Sequence, residues 1–202
     1  MLIIEGMNHF EYQIRKYKDD MTDEEFLEFC GANDNMLIER DKDRNIIIRP
    51  LLVAPVAWLQ DELGMEIWSW EKKHNMGISF SSNVGFELKN TAIRMAGANW
   101  ISTERWRTVP REDYDKFIYV PPDFIAEVVT PTSNLKKLKE KMLEWMGNGV
   151  RLAWLVNPYE KTTHIYREDS SVDLVEGFDK TLSGEHVLPG FELELAPLLE
   201  LP

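Results

Sequence analysis

The most informative side chain in the sequence is a glutamate inside an apolar segment. Glu127 lies within Phe124-Ile-Ala-Glu-Val-Val129, a run typical of a central strand covered on both faces. A buried carboxylate without a partner is costly, so it requires a metal ion, a cation or hydrogen-bond donors. Glu127 is therefore our first candidate site residue. The alternative is a plain ion pair with an arginine, for which Arg94 and Arg151 are candidates.

The helix predicted after this strand offers lysines to the same region. Its apolar stripe predicts a helix over residues 135–146, ended by Gly147-Asn148-Gly149. At about 100° per residue, Lys139 lies on one shoulder of that stripe and Lys141 on the other. Either lysine could reach over the end of the sheet, and periodicity does not choose between them.

Other kinds of catalytic site are not indicated. The sequence has no phosphate-binding glycine-rich loop and no dinucleotide fingerprint. Its four histidines lack the spacing of metal ligands. They are His9, His74, His164 and His186. The single cysteine, Cys30, excludes an internal disulfide and favours a reducing, cytoplasmic compartment.

The elements that position Glu127 form a β-α-β unit between residues 124 and 156. Parallel strands and a right-handed crossover are expected for it. Thr22 and Glu25 form a capping box at the start of a helix expected to end near Gly31. Longer and shorter helices are predicted over 55–74 and 103–106. Strands are predicted over 36–40, 45–49, 78–80, 85–88, 92–95, 98–101, 124–129, 151–156, 162–166 and 172–176.

Length and charge limit the protein class. The 202 residues fit one domain, which we place at 21–202, preceded by an extension over 1–20 without a clear period. A net charge of −12 argues against a general nucleic-acid coat protein. It does not exclude a nuclease, whose metal site needs carboxylates. No apolar stretch approaches the roughly 20 residues that span a bilayer, so we expect no membrane association.

Several segments resemble a bacterial family of small, Uma-type restriction endonucleases in the PD-(D/E)XK nuclease superfamily. The most specific segment is Pro122-Asp-Phe-Ile-Ala-Glu-Val-Val-Thr-Pro-Thr-Ser133. It leads into Glu140-Lys-Met142 and Gly149-Val-Arg-Leu-Ala-Trp-Leu-Val-Asn-Pro158. The likeness extends in register from about residue 21 to the end of the chain. It implies an α/β fold with a mixed central sheet flanked by helices and with terminal β-hairpins.

The resemblance also implies a function and a site. Relatives would hydrolyse DNA phosphodiesters with Mg²⁺ or Mn²⁺ held by an aspartate and a glutamate on adjacent strands, and would assemble as homodimers. Glu127 stands where the family has its strand glutamate, and Lys141 matches the lysine that the family carries on the following helix. On this basis we predict Glu127 and Lys141 as catalytic residues.

The sequence departs from the family pattern at the metal-binding aspartate. The family has Pro-Asp before the strand at 98–101, where this chain has Ala96-Gly97. Asn99 and Glu39 are the remaining candidate ligands beside Glu127, with Glu87 a further acid that could fold into the cleft. We therefore predict a metal-dependent endonuclease that the change to Gly97 could inactivate. The alternative is a catalytically dead nuclease-fold module that binds a partner or a second copy.

Overall fold

The computed structural model describes residues 2–4 and 18–199. Most of the predicted N-terminal extension, residues 1 and 5–17, lies outside the described residues, as do residues 200–202. No helix in the described part is long and apolar enough to cross a membrane.

A six-stranded mixed sheet forms the centre of the fold. Its strand order is β11-β10-β9-β8-β7-β4. Strands β8 and β9 pair in parallel, with Glu127 opposite Leu155, and the other neighbours are antiparallel. The strands are β4 (Gly77–Ile78), β7 (Ala98–Ser102), β8 (Phe124–Val128), β9 (Leu152–Asn157), β10 (Thr162–Arg167) and β11 (Val172–Glu176). The predicted parallel β-α-β unit is confirmed.

A second sheet consists of five short strands. Its order is β1-β3-β2-β6-β5, with β1 parallel to β3 and the remaining pairs antiparallel. The strands are β1 (Leu2–Ile4), β2 (Leu37–Arg40), β3 (Ile46–Arg49), β5 (Phe86–Glu87) and β6 (Ile93–Arg94). A closing hairpin joins β12 (Thr181–Ser183) to β13 (Glu192–Glu194).

Four α-helices and two short 3-10 segments complete the described fold. The helices are α1 (Asp23–Ala32), α2 (Ala54–His74), α3 (Thr103–Trp106) and α4 (Leu135–Gly147), and the 3-10 segments are Arg111–Asp113 and Ala196–Leu199. The predicted capping box of Thr22 and Glu25 is present at the start of α1. The helix ends at Ala32, one residue beyond Gly31, and Asn33 caps it.

The central sheet is covered on both faces, which explains the continuous apolar runs of β8 and β9. One face packs against α2 and the closing hairpin, through Leu59, Leu63 and Ile67. The other face packs against α4, through Met142 and Trp145. Along β8, Ala126 and Val128 belong to the α2 side and Ile125 to the α4 side. Because side chains alternate along a strand, Glu127 points to the α4 side.

Cys30 packs beside the apolar cluster under α1, and burial raises the pKa of its thiol to about 12 although Arg40 acts in the opposite direction. We expect iodoacetamide at pH 8 to alkylate native Cys30 at least ~100-fold more slowly than the urea-unfolded chain, because the thiolate is the reactive form. Rates followed by mass spectrometry test this, and similar native and unfolded rates would contradict it.

The raised pKa of Cys30 makes the free energy of unfolding depend on pH in the alkaline range. The folded thiol keeps a proton that the unfolded chain releases above about pH 9, so this contribution to stability is present below pH 9 and is lost as the pH rises toward 12. In urea titrations, Cys30→Ala should show a shallower loss of stability over that range than the wild type.

Candidate active site

Glu127 and Glu39 approach each other from different sheets. Glu127 is on β8 and Glu39 on β2, and both residues are almost fully buried, at 1% and 3% exposure. The Met95 amide, directly after β6, donates a hydrogen bond to Glu39 Oε1 at 3.2 Å. The fold therefore brings together two carboxylates that are 88 residues apart in the sequence (127 minus 39).

Lys141 lies between these carboxylates. Its Nζ is 2.7 Å from Glu39 Oε1, 2.8 Å from Glu127 Oε1 and 2.8 Å from the Met95 carbonyl oxygen. The two carboxylate oxygens are thus at most 5.5 Å apart, the sum of the first two distances. We call the three oxygens of Glu39, Glu127 and Met95 the oxygen cradle. Its centre is occupied by one ammonium group.

The ammonium does not satisfy all three oxygens equally well. Glu39 Oε1 and the Met95 carbonyl each accept a hydrogen bond from Lys141 Nζ. Glu127 Oε1 is close enough for an ion pair, but its geometry is outside hydrogen-bonding range and it has no other hydrogen-bond partner among the described residues. A buried carboxylate oxygen in this state retains capacity for another cationic ligand.

Two arginines surround the cradle at longer distances. Arg49, at the end of β3, lies 3.4 Å from Glu39 and 3.7 Å from Glu127. Arg94, on β6, lies 3.3 Å from Glu39 and 2.6 Å from Glu144 of α4. The cluster thus contains three carboxylates and three cations and is formally neutral. This neutrality is needed, because a buried charge without a compensating charge is strongly destabilising.

The cluster controls the charge state of Glu39. Burial by itself raises the pKa of this carboxyl, but Lys141, Arg49 and Arg94 outweigh burial and hold the pKa at about 2. Glu39 is therefore a carboxylate at neutral pH, despite its burial.

A cleft of about 1070 Å³ opens above the cluster. Glu39, Arg49, Arg94 and Lys141 are among its lining residues, and the loop from Thr130 to Asn134 forms part of its rim. Three further lysines line it as well: Lys42, Lys89 and Lys137. Five acids also line the cleft, so its lining carries charges of both signs: Glu39, Asp41, Asp43, Glu140 and Glu144.

The space around Gly97, where the resemblance predicts the family's aspartate, is closed by a side chain from α2. A Cβ on Gly97 would lie 2.9 Å from the Ala126 carbonyl oxygen and 3.0 Å from Gln60 Oε1. Both distances are shorter than ordinary contacts, so an aspartate there requires its neighbours to move. Gln60 itself is buried, at 8% exposure.

Comparison with known proteins identifies the family. Residues 23–196 match the family model Uma2, described as a putative restriction endonuclease. The chain belongs to the Uma2 family. A crystal structure of a putative nuclease belonging to DUF820 from Anabaena variabilis ATCC 29413 matches this Uma2 protein with a TM-score of 0.70 and 19% sequence identity, covering 80% of this chain and 89% of that chain. Curated proteins give no significant match. The fold is restriction-endonuclease-like, with a mixed central sheet flanked by helices, as predicted.

Only some of the predicted site residues of this Uma2 protein lie at the oxygen cradle. Glu127, Lys141 and Glu39 meet at the cradle. Asn99 lies on β7, where its side-chain amide bonds to the backbone of Phe80 and Ser81. Lys139 lies on the other shoulder of α4, near His164. Burial lowers the pKa of the His164 imidazole, and the positive charge of Lys139 lowers it further.

Two further acids lie away from the cradle of this Uma2 protein. Glu87 is on β5, where burial and the neighbouring Asp23 raise the pKa of its carboxyl. Asp123 is 1% exposed, accepts a hydrogen bond from the Ser102 amide and pairs with Arg105 and Arg151. Arg151 therefore pairs with Asp123 and not with Glu127.

Sequence reasoning missed the arginines that neutralise the cluster. Arg49 follows Ile46-Ile47-Ile48, and a charge ending a buried apolar strand was the available signal. Arg94 was considered only as a partner of Glu127, whereas it pairs with Glu39 and Glu144. The Met95 carbonyl carries no sequence signal, because any residue supplies one.

The donor set of the cradle fits a divalent metal ion. The described residues contain no group of three or more His, Cys, Asp or Glu side chains that could hold a metal. Two carboxylates and a backbone carbonyl nevertheless supply the oxygen ligands that Mg²⁺ and Mn²⁺ accept, with water completing the shell. The incompletely satisfied Glu127 Oε1 is consistent with such an occupant.

A double-mutant cycle tests the ion cluster. Glu39→Gln and Lys141→Met should each destabilise the protein by about 3 kcal/mol, because each leaves an uncompensated buried charge. The double variant should cost at least ~1 kcal/mol less than the sum, because it removes both members of the pair. Urea unfolding of the four proteins measures this. Additive losses would contradict the contact, and Lys136→Met, on the exposed face of α4, is the matched control.

Proposed function

We propose that residues 21–202 form one nuclease domain that hydrolyses DNA phosphodiesters with a divalent metal ion. Glu39, Glu127 and the Met95 carbonyl would hold the ion. Asn99 would hold the segment that follows β4, through its hydrogen bonds with the Phe80 backbone. The observation that carries this proposal is the convergence of these three oxygens on one point at the base of a large cleft.

The oxygen cradle replaces the family's aspartate by an acid from another strand. Gly97 lacks a side chain, but Glu39 reaches the cradle from β2 and is ionised at neutral pH. The charge that the cradle lacks at Gly97 is thus supplied at Glu39. A bound Mg²⁺ or Mn²⁺ would polarise the scissile phosphate and activate a water molecule.

The lysines of the cleft supply candidate contacts for an anionic polymer. In hydrolysis a water oxygen attacks phosphorus, one ester P–O bond breaks and the leaving oxygen takes up a proton. Lys141, turned toward the phosphate, would stabilise the charge that develops there. Lys42, Lys89 and Lys137 line the same cleft and would contact the flanking phosphates.

A second candidate function is that of an inactive module that binds a partner or a second copy. Two observations favour it. Lys141 already neutralises the cradle, and α2 exposes Trp68 and Met65 at 52% and 50%. Exposed large apolar side chains mark interaction surfaces when they form a patch. Of the other tryptophans on α2, Trp70 is in the core and Trp58 is partly buried, so they add little to this exposed surface.

Plasmid cleavage decides between these functions. We expect the wild type to nick or linearise supercoiled DNA in Mg²⁺ or Mn²⁺, and Glu127→Gln and Glu39→Gln to reduce the rate at least ~100-fold, because each removes a charged ligand of the ion. Glu66→Gln, an exposed change on α2 that is not part of the cleft lining, should retain wild-type activity. A folded wild type that cleaves in neither metal would reject the endonuclease proposal. Sedimentation would then test for a homodimer, which Trp68→Ser should weaken.

Restoring the family aspartate tests why Gly97 is present. Gly97→Asp should lower stability by roughly 1–3 kcal/mol, because its side chain meets Gln60 and the Ala126 carbonyl. Gln60→Ala in the same chain should recover part of that loss, since it removes one of the two obstructions. Thermal unfolding measures both effects. If an inactive wild type gains Mg²⁺-dependent cleavage in the double variant, the scaffold has lost activity through this position.

A further inference from the structure

Lys141 occupies the place of the metal ion in the proposed site. Its Nζ contacts all three oxygens of the cradle at 2.7–2.8 Å, and its side chain is only 11% exposed. An ammonium group has three donors. Two of them are directed to Glu39 Oε1 and the Met95 carbonyl, and the nitrogen also lies 2.8 Å from Glu127 Oε1, so the ammonium fills the space between the oxygens that would ligate the ion.

The net charge of the cluster also opposes the binding of a metal ion while Lys141 is in the cradle. The cluster of three carboxylates and three cations is neutral with Lys141 in place, and a divalent ion added to it would leave a net charge of two beside Arg49 and Arg94. With the ammonium withdrawn, the cluster has one excess negative charge before the ion enters. Binding of a divalent ion is therefore opposed by Lys141 and favoured by its removal.

The ammonium of Lys141 can leave the cradle without a movement of the α4 backbone, although this breaks its ion pairs with Glu39 and Glu127. It projects from α4 on a flexible four-carbon chain and lines the cleft, so its ammonium can move into solvent. Arg49 and Arg94 do not fill the centre of the cradle. They lie 3.3–3.7 Å from its carboxylates, and Arg94 is also held by Glu144.

We propose that Lys141 is an internal competitor for the metal site, whose ammonium fills the oxygen cradle and must leave before a divalent ion binds. This inference rests on the proposed function and adds a regulation to it. The wild-type protein has a self-neutralised site, and it binds Mg²⁺ or Mn²⁺ more weakly than its oxygen ligands alone would allow.

The competition predicts that a variant can bind metal more tightly while cleaving more slowly. Lys141→Met keeps an unbranched, flexible side chain that is one atom shorter, and removes the charge. We expect it to bind Mn²⁺ at least ~10-fold more tightly than the wild type, because breaking the ion pairs is no longer required. Isothermal titration of the DNA-free protein with Mn²⁺ measures this independently of activity. Lys136→Met, exposed on the same helix, should bind like the wild type.

A second variant separates the failure of this inference from that of the proposed function. Glu127→Gln should weaken Mn²⁺ binding in both the wild-type and the Lys141→Met backgrounds. If Glu127-dependent binding is present but Lys141→Met is no tighter than the wild type, the competition is refuted and the metal site stands. If neither protein binds Mn²⁺, both proposals are refuted.

Loss of the fold would not prevent the test. Lys141→Met leaves Glu39 and Glu127 with weaker compensation, so it should have a lower melting temperature without metal and a larger rise on adding Mn²⁺ than the wild type. If the variant is unfolded without the ion, recovery of its native circular dichroism during Mn²⁺ titration gives the affinity. Failure to recover would overturn the proposal.

Discussion

Two carboxylates buried side by side must be neutralised, and this constraint organises the centre of the molecule. Glu39 and Glu127 come from different sheets and meet where water is excluded. Their charge is acceptable only because Lys141, Arg49 and Arg94 converge on them from a helix and two strands. The cluster therefore links both sheets to α4, and the relative position of these elements depends on ionic contacts as well as on apolar packing.

The apolar layers determine where that cluster can form. The central sheet is packed on one face by α2 and on the other by α4, so β8 has no exposed face on which a glutamate could be solvated. Its alternation sends Glu127 toward α4, and α4 returns Lys141 to it after the crossover. A residue that would be costly in an ordinary core is thus placed next to its cation by the connection between the strand and the helix.

Membership of the Uma2 family gives the fold, while the chemistry depends on the particular side chains. At Gly97, Gln60 and the Ala126 carbonyl take up the space that a side chain would need. Glu39 enters the cluster from β2 and meets Glu127 there. The oxygen cradle that results is filled by an internal cation, the ammonium of Lys141.

The sequence by itself determined the β-α-β unit, the burial of Glu127 and the two shoulder lysines, because strand alternation and helical periodicity are local properties. It also predicted the α/β fold through the family resemblance. Only the tertiary structure decided that Lys141, and not Lys139, contacts Glu127, and that Glu39 with Arg49 and Arg94 completes the cluster. These contacts join residues on separate sheets, and local patterns do not specify how two sheets are placed against each other.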